Sequence, residues 1–182
     1  MNSGSVRQLT LVDLIEGLSG RRLPGLKVPV RPVIDSREAE GGSLFFAFEG
    51  ENVDGHDYVK DAFDRGAAAA VIERDVALDA PEVDVTKLGA SDRASMDAGR
   101  FDLETPVLVR VPDVLTAMQD AARWWRRQIN PRVVGVTGSV GKTTTKEVAA
   151  SVLRQRYRVL RNPGSFNNEI GLPLTLLSAD GA

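Results

Sequence analysis

The chain has 182 residues, of which 42% are hydrophobic and 26% are charged, and its formal net charge is -2. This composition predicts a globular protein with its own core, and the near balance of charge excludes a field that would recruit nucleic acid or an anionic membrane. The absence of cysteine excludes disulfides and thiolate metal sites. No apolar run reaches membrane-spanning length and no secretory leader is recognisable, so we expect a cytoplasmic monomer without nucleic-acid or membrane partners.

Alternating helix and strand patterns predict an α/β domain over the first 130 residues. In chain order the predicted elements are a helix at 10–18, strands at 30–34 and 44–48, a helix at 57–65, a strand at 67–72, a weak strand at 83–85, a strand at 107–111 and a helix at 113–128. Thr10 and Asp113 are the predicted helix caps. Outside the weak strand, residues 73–105 lose their periodicity and are predicted to be irregular. Asn130-Pro131 closes the last helix, which predicts a domain boundary at 130–132.

A glycine-punctuated turn follows that boundary. Residues 133–137 predict a short strand, and apolar residues at helical spacing over 146–153 predict a helix. Between them Gly138 and Gly141 allow the backbone to turn N–H groups onto a phosphate, and the helix N-terminus adds its positive end. Val136 stands where the general G-x-x-x-x-G-K-S/T pattern has glycine, so the match is to a variant of the phosphate loop.

The residue types in this turn predict nucleotide chemistry, with ATP and Mg²⁺ as the expected cofactors. Lys142 is the predicted catalytic residue because its ammonium would stabilise the β- and γ-phosphates, and the Thr143 hydroxyl is the predicted Mg²⁺ ligand. The alternative is an ordinary turn that enters a helix. The predicted ATP phosphate-binding residues are Gly138, Ser139, Val140, Gly141, Lys142, Thr143 and Thr144.

The run 137–147, followed by the block 162–177, resembles the Mur ligase family, the ATP-dependent ligases that build peptidoglycan precursors. Asp35-Ser36-Arg37 and the runs 42–48 and 54–57 are similar to the UDP-sugar domain of that family. The resemblance implies an α/β fold in which an N-terminal UDP-sugar-binding domain (1–130) precedes the incomplete start of a P-loop, mononucleotide-binding α/β domain (131–182).

Thr145-Lys146-Glu147 and the Asn-Asn-Glu-Ile-Gly block are similar to the branch that joins D-alanyl-D-alanine to UDP-N-acetylmuramoyl-tripeptide. That similarity implies these two small molecules as substrates, with roles in cell-wall biogenesis, cell shape and cell division. It also implies phosphorylation of the peptide carboxylate to an acyl phosphate, attack by the dipeptide amine, and release of ADP and phosphate. The branch that adds the third peptide residue is the alternative, since it shares the Asp-Ser-Arg element and a similar loop.

The resemblance places substrate contacts at Ser36, Arg37, Asn167 and Asn168. A guanidinium offers paired donors to an anion, although a loop-end salt bridge at Arg37 and a cap at Ser36 are the alternatives. The two asparagines are expected to follow a strand at 157–160, at the sheet edge where ligands bind. Ser165 departs from the asparagine found in many family members.

Other conspicuous side chains carry structural predictions. The lone histidine, His56, is expected to form hydrogen bonds within its loop. Phe45 and Phe46 point to opposite faces of a strand, so at least one is expected in the core and the other could stack on uracil. One ring of the Trp124-Trp125 pair is expected in the core, and the helix surface at arginines 123, 126 and 127 is expected to be solvated.

The family's later magnesium-binding residues, its adenine pocket and its amino-acid domain have no counterpart in these 182 residues. We therefore expect a fragment that does not complete ligation alone. A non-catalytic UDP-sugar-binding module with a vestigial phosphate loop is one alternative. A P-loop kinase or GTPase unrelated to the cell wall is another.

Overall fold

A parallel sheet forms the centre of the protein. The computed structural model describes residues 7–23, 25–50, 53–88, 105–164 and 166–181. Neighbouring strands of the five-stranded sheet are all parallel and lie in the order β1-β2-β3-β5-β4. The strands are β1 (Arg31–Val33), β2 (Ser43–Phe46), β3 (Ala69–Ile72), β4 (Glu82–Asp84) and β5 (Val107–Arg110). The predicted α/β class is confirmed.

Helices cover both faces of this sheet, as a parallel sheet requires. The helices are α1 (Leu11–Ser19), α2 (Val59–Asp64), α3 (Val114–Ile129), α4 (Lys142–Leu153) and α5 (Gly171–Leu177). The buried hydrophobic side chains form two cores. Alternate side chains of β2 belong to different cores: Leu44 and Phe46 lie in the core that contains residues of α1 and α3, while Phe45 packs with residues of α2. Phe45 is 2% exposed and Phe46 0% exposed, so the core prediction is confirmed and the uracil platform is wrong.

The predicted helix caps at the N-terminal domain are confirmed. The Thr10 side chain accepts a hydrogen bond from the Asp13 N–H at 3.2 Å, and the Asp13 carboxylate accepts one from the Thr10 N–H at 3.1 Å. This reciprocal pair satisfies two N–H groups at the start of α1. Asp113 caps α3 through the Thr116 N–H at 2.6 Å. The predicted 57–65 helix divides into a 3₁₀ turn, Gly55–Tyr58, and α2.

Two predicted strands are absent from the described ranges, at 133–137 and at 157–160. A strand needs a neighbouring backbone for its hydrogen bonds, and neither segment pairs with a strand among the described residues. The helix after the phosphate loop is longer than predicted, since α4 begins at Lys142. The weak strand prediction at 83–85 is confirmed as the edge strand β4, whereas 89–104 lie outside the described residues.

The last described residues pack against the N-terminal sheet domain. Leu177 of α5 is buried in the core that α1 and α3 share. The indole N–H of Trp125 donates to the Ala179 carbonyl at 2.7 Å, and the Gly181 N–H donates to the Arg7 carbonyl at 2.7 Å. Trp125 is fully buried and Trp124 is half-buried, as predicted. Within the described ranges, no helix combines the length and apolar character needed to cross a membrane.

Candidate nucleotide and substrate site

Several of the predicted polar residues lie at one edge of the sheet. Because all neighbouring strands are parallel, their carboxyl ends meet at the same edge, which is where α/β sheets bind ligands. The segment 35–37 follows β1, the segment 54–56 follows β2, and Glu73 and Arg74 follow β3. Ser36 and Arg37 therefore occupy a position suited to ligand binding.

Arg37 forms a two-point ion pair with Asp35. The distances are 2.9 Å from Arg37 Nε to Asp35 Oδ1 and 2.7 Å from Nη2 to Oδ2. The side-chain hydrogen bond from Arg37, with help from its backbone N–H, lowers the pKa of Asp35 to about 2. The salt bridge considered from the sequence is thus present, yet the Arg37 side chain is 83% exposed, and its guanidinium is accessible to an anionic ligand.

Ser36 is buried and begins the 3₁₀ turn Ser36–Glu38. Its carbonyl accepts the Ala39 N–H at 3.1 Å, and the cap of this turn is the Asp35 side chain, which accepts the Arg37 N–H at 2.9 Å. The alternative of a cap at Ser36 is therefore wrong, because Asp35 caps the turn. Its substrate contact stays a prediction.

His56 has a structural role, as its neighbours predicted. Its Nδ1 lies 2.6 Å from Asp54 Oδ1, and its Nε2 accepts the Glu73 N–H at 3.1 Å. The second bond requires an unprotonated Nε2, so the ring is the neutral tautomer with hydrogen on Nδ1. Burial alone would raise the pKa of Asp54, but hydrogen bonds from His56 and Arg74 outweigh it and lower the pKa to about 2. This network links the loops after β2 and β3.

The phosphate loop has the backbone geometry that an anion site needs. Gly138 has φ +149° and Gly141 has φ +80°, values that residues with a side chain rarely adopt. Gly141 is the N-cap of α4 and offers no side chain to cap the helix, and the first intrahelical bond runs from the Thr145 N–H to the Gly141 carbonyl at 2.9 Å. The N–H groups of residues 142–144 are therefore left without intrahelical acceptors and fit phosphate oxygens.

Lys142 and Thr143 are exposed at the start of α4. The Lys142 ammonium donates to the Gly138 carbonyl, so the side chain folds over its own loop. No group of three or more His, Cys, Asp or Glu residues in the described ranges could hold a metal ion. A hydroxyl such as that of Thr143 nevertheless suits Mg²⁺, which commonly takes few protein ligands and completes its shell with phosphate oxygens and water.

Asn167 and Asn168 lie in the turn before α5 and not after a strand, which corrects their predicted setting. The Asn168 side-chain oxygen accepts the Gly171 N–H at 2.8 Å, which leaves its amide N–H groups for another partner. Asn168 also borders a shallow groove between α3 and α5, together with Gln119 and Arg123. Asn167 is exposed. Ser165, which departs from the family pattern, lies outside the described residues.

The predicted site residues do not form one connected cluster. Among the described residues, the hydrogen bonds and ion pairs of the 35–37 turn do not reach the phosphate loop. The sequence interpretation missed Lys146, whose ammonium donates to the carbonyls of Asn162 and Gly164. Lys146 could have been found from its position four residues after Lys142, since residues at that spacing share a helix face.

The arginines of α3 lie on the solvated surface that the sequence predicted for them. Arg123 pairs with Asp120 on the same helix, and arginines 126 and 127 are exposed near the carboxyl end of α3. The positive charges there face the negative end of the helix dipole. The predicted solvated face is confirmed.

Two family models match this chain. The model described as "Mur ligase family, catalytic domain" matches residues 33–124, and the "Mur ligase middle domain" matches residues 136–182. The UDP-N-acetylmuramoyl-tripeptide–D-alanyl-D-alanine ligase of Bacillus subtilis is 39% identical over 144 residues, which are 79% of this chain and 26% of that relative.

Solved structures agree with the sequence relatives. The UDP-N-acetylmuramoylalanyl-D-glutamyl-2,6-diaminopimelate–D-alanyl-D-alanyl ligase of Acinetobacter baumannii is similar with a TM-score of 0.67 and 26% identity, over 97% of this chain and 35% of that one. MurF ligase of Thermotoga maritima in complex with ADP is similar with a TM-score of 0.57 and 31% identity, over 89% and 30%. The chain spans only 26% to 33% of the length of the two first-ranked curated relatives.

Proposed function

Because the chain belongs to the Mur ligase family, we propose that it is the N-terminal part of a MurF-type ligase, which joins D-alanyl-D-alanine to UDP-N-acetylmuramoyl-tripeptide using ATP. The observation that carries the proposal is the phosphate loop. Gly138 and Gly141 have left-handed backbone angles, and α4 begins directly after them with Lys142. That arrangement suits the phosphates of a nucleotide, because the backbone N–H groups, the helix N-terminus and the lysine all offer positive charge at one place.

In this proposal the N–H groups of residues 142–144 hold phosphate oxygens, and Lys142 leaves the Gly138 carbonyl to contact the transferring phosphate. Thr143 contributes its hydroxyl to Mg²⁺. ATP, when bound, supplies the phosphoryl group that activates the peptide carboxylate before the dipeptide amine attacks it. Fixed positive charge at this point stabilises the transition state more than the ground state, because charge moves toward the leaving phosphate.

The N-terminal domain would hold the UDP substrate at the edge of its sheet where the carboxyl ends of the strands meet. Arg37 would exchange its Asp35 partner for an anionic group of that substrate, with Ser36 beside it. Asn168 would offer its amide N–H groups, since its oxygen is bonded to the Gly171 N–H, and Asn167 is exposed beside it. We place the domain boundary near residue 130 and expect a cytoplasmic monomer that serves cell-wall biogenesis, cell shape and division.

A second candidate is a module that binds the UDP substrate without turnover. It is favoured by the setting of the loop, because residues 133–137 pair with no strand in the described ranges. In addition, α4 leaves Val148 and Val152 exposed. A phosphate loop without a supporting sheet would bind nucleotide weakly.

The reaction product tests the first candidate. The protein translated from the complete reading frame that contains these residues is incubated with ATP, Mg²⁺, D-alanyl-D-alanine and UDP-N-acetylmuramoyl-tripeptide, and the product is identified by mass spectrometry. We expect the mass of the tripeptide substrate plus one dipeptide less water, and no product without ATP. In a parallel incubation that offers UDP-N-acetylmuramoyl-dipeptide and a single amino acid instead, product formation would contradict the proposal and indicate the branch that adds the third residue.

A further inference from the structure

Lys146 lies on α4 one turn after Lys142, and residues four apart share a helix face. Its side chain is only 18% exposed. The ammonium donates to the Asn162 carbonyl at 2.9 Å and to the Gly164 carbonyl at 2.7 Å. A largely buried ammonium requires such partners, so the turn at 162–164 is shaped around this side chain.

The next residue of α4 makes a second connection to the same turn. Glu147 Oε1 lies 3.0 Å from Arg161 Nη1 and 3.8 Å from Lys146 Nζ. The Asn162 side chain then donates to the Phe166 carbonyl at 3.2 Å, which extends the connection toward Asn167. Lys146 and Glu147, adjacent residues of the helix that follows the phosphate loop, therefore hold the segment before the two asparagines.

The far side of that segment is fixed to the N-terminal domain. The Gln119 side chain of α3 donates to the Glu169 carbonyl at 3.3 Å. A Cβ at Gly171 would meet Phe166 Cβ at 2.7 Å, so the turn and the start of α5 approach too closely for any other residue. Residues 161–164 are thus held by α4, and residues 166–170 are held by α3 and α5.

We propose that Lys146 is a positioning residue that couples the phosphate loop to the Asn167-Asn168 turn. Phosphate binding would draw Lys142 away from the Gly138 carbonyl and adjust the first turn of α4, and Lys146 would transmit that adjustment to the carbonyls of Asn162 and Gly164. The inference rests on the proposed nucleotide binding. It adds that nucleotide at the loop changes the position of the two predicted substrate contacts, through a side chain that touches neither ligand.

The test is to add Mg-ATP to the 182-residue chain up to saturation and to monitor the backbone amide signals in ¹⁵N–¹H spectra. In the unchanged chain we expect shifts at residues 142–146 and also at Asn167 and Asn168. In Lys146→Met the shifts at 142–145 should persist and the shifts at both asparagines should be lost. Lys146→Arg should restore them, because a guanidinium can also donate to two carbonyls.

Lys60→Met is the matched control, since Lys60 is an exposed lysine of α2 paired with Asp64. It should leave every nucleotide shift unchanged, and amide signals of β2 and β3 report whether each variant is folded. A purely local stabilising role for Lys146 would give no asparagine shifts in the unchanged chain, which would overturn the inference. Asparagine shifts that persist in Lys146→Met would also overturn it. Absence of any loop shift in the unchanged chain would instead contradict nucleotide binding, and the inference would fall with it.

Discussion

Replacement of Lys142 by alanine should abolish detectable Mg-ATP binding to the chain and should slow turnover of the complete ligase by ~100-fold or more, about 3 kcal/mol at the transition state. The physical reason is that the Lys142 ammonium lies at the start of α4, where it would stabilise the negative charge that develops on the leaving phosphate during transfer. Turnover is measured as phosphate release with both substrates saturating.

The control for this substitution is Lys60→Ala, which removes an exposed lysine of α2 paired with Asp64 at 2.6 Å. It should leave both ATP binding and turnover unchanged. Lys142→Arg keeps the charge but not its compact shape, so its turnover should lie between those of the unchanged protein and the alanine variant. Unchanged turnover in Lys142→Ala would contradict the role given to the loop.

Replacement of Trp125 by alanine should lower the free energy of unfolding by about 3–5 kcal/mol, the range for large aromatic side chains removed from a core. Trp125 is 0% exposed, and its indole N–H donates to the Ala179 carbonyl at 2.7 Å. The Arg7 guanidinium lies 5.2 Å from the centre of its ring. One side chain thus connects α3 to the segment after α5 and to residue 7. Urea unfolding followed by circular dichroism measures the change without depending on tryptophan fluorescence.

The adjacent tryptophan supplies the control, because Trp124 is only half-buried and stacks over Gly17. Trp124→Ala should cost less, about 1–2 kcal/mol, in proportion to the smaller area that it buries. Trp125→Phe keeps an aromatic ring but leaves the Ala179 carbonyl without its donor, and should also cost about 1–2 kcal/mol. A loss in Trp125→Ala no greater than in Trp124→Ala would contradict the packing of the 170–181 segment on α3.

The features that the sequence predicts well are those decided by near neighbours in the chain. Thr10 and Asp113 can only cap the helices that follow them, and the apolar run that begins at residue 44 has the pattern of a strand with at least one phenylalanine ring in the core. The phosphate loop is similarly local, because Gly138 and Gly141 need particular backbone angles whatever surrounds them.

The features that the sequence does not predict depend on distant residues. The segment 133–137 has the pattern of a strand, but a strand exists only beside another, and none of the described residues pairs with it. The contact between Trp125 and Ala179 spans 54 residues and has no signature in either local sequence. The local sequence gives Lys146 the pattern of an ordinary exposed helix residue. Its hydrogen bond depends on the turn at Asn162, which the local sequence does not locate.

The most direct test of the central claim is calorimetric titration of the 182-residue chain with UDP-N-acetylmuramoyl-tripeptide and, separately, with Mg-ATP. If residues 35–37 and the phosphate loop are two halves of a ligase substrate site, both ligands will bind saturably. Lys142→Ala will then lose only the ATP isotherm. Binding of the sugar nucleotide alone would favour the non-catalytic module, and no heat from either ligand would contradict the account.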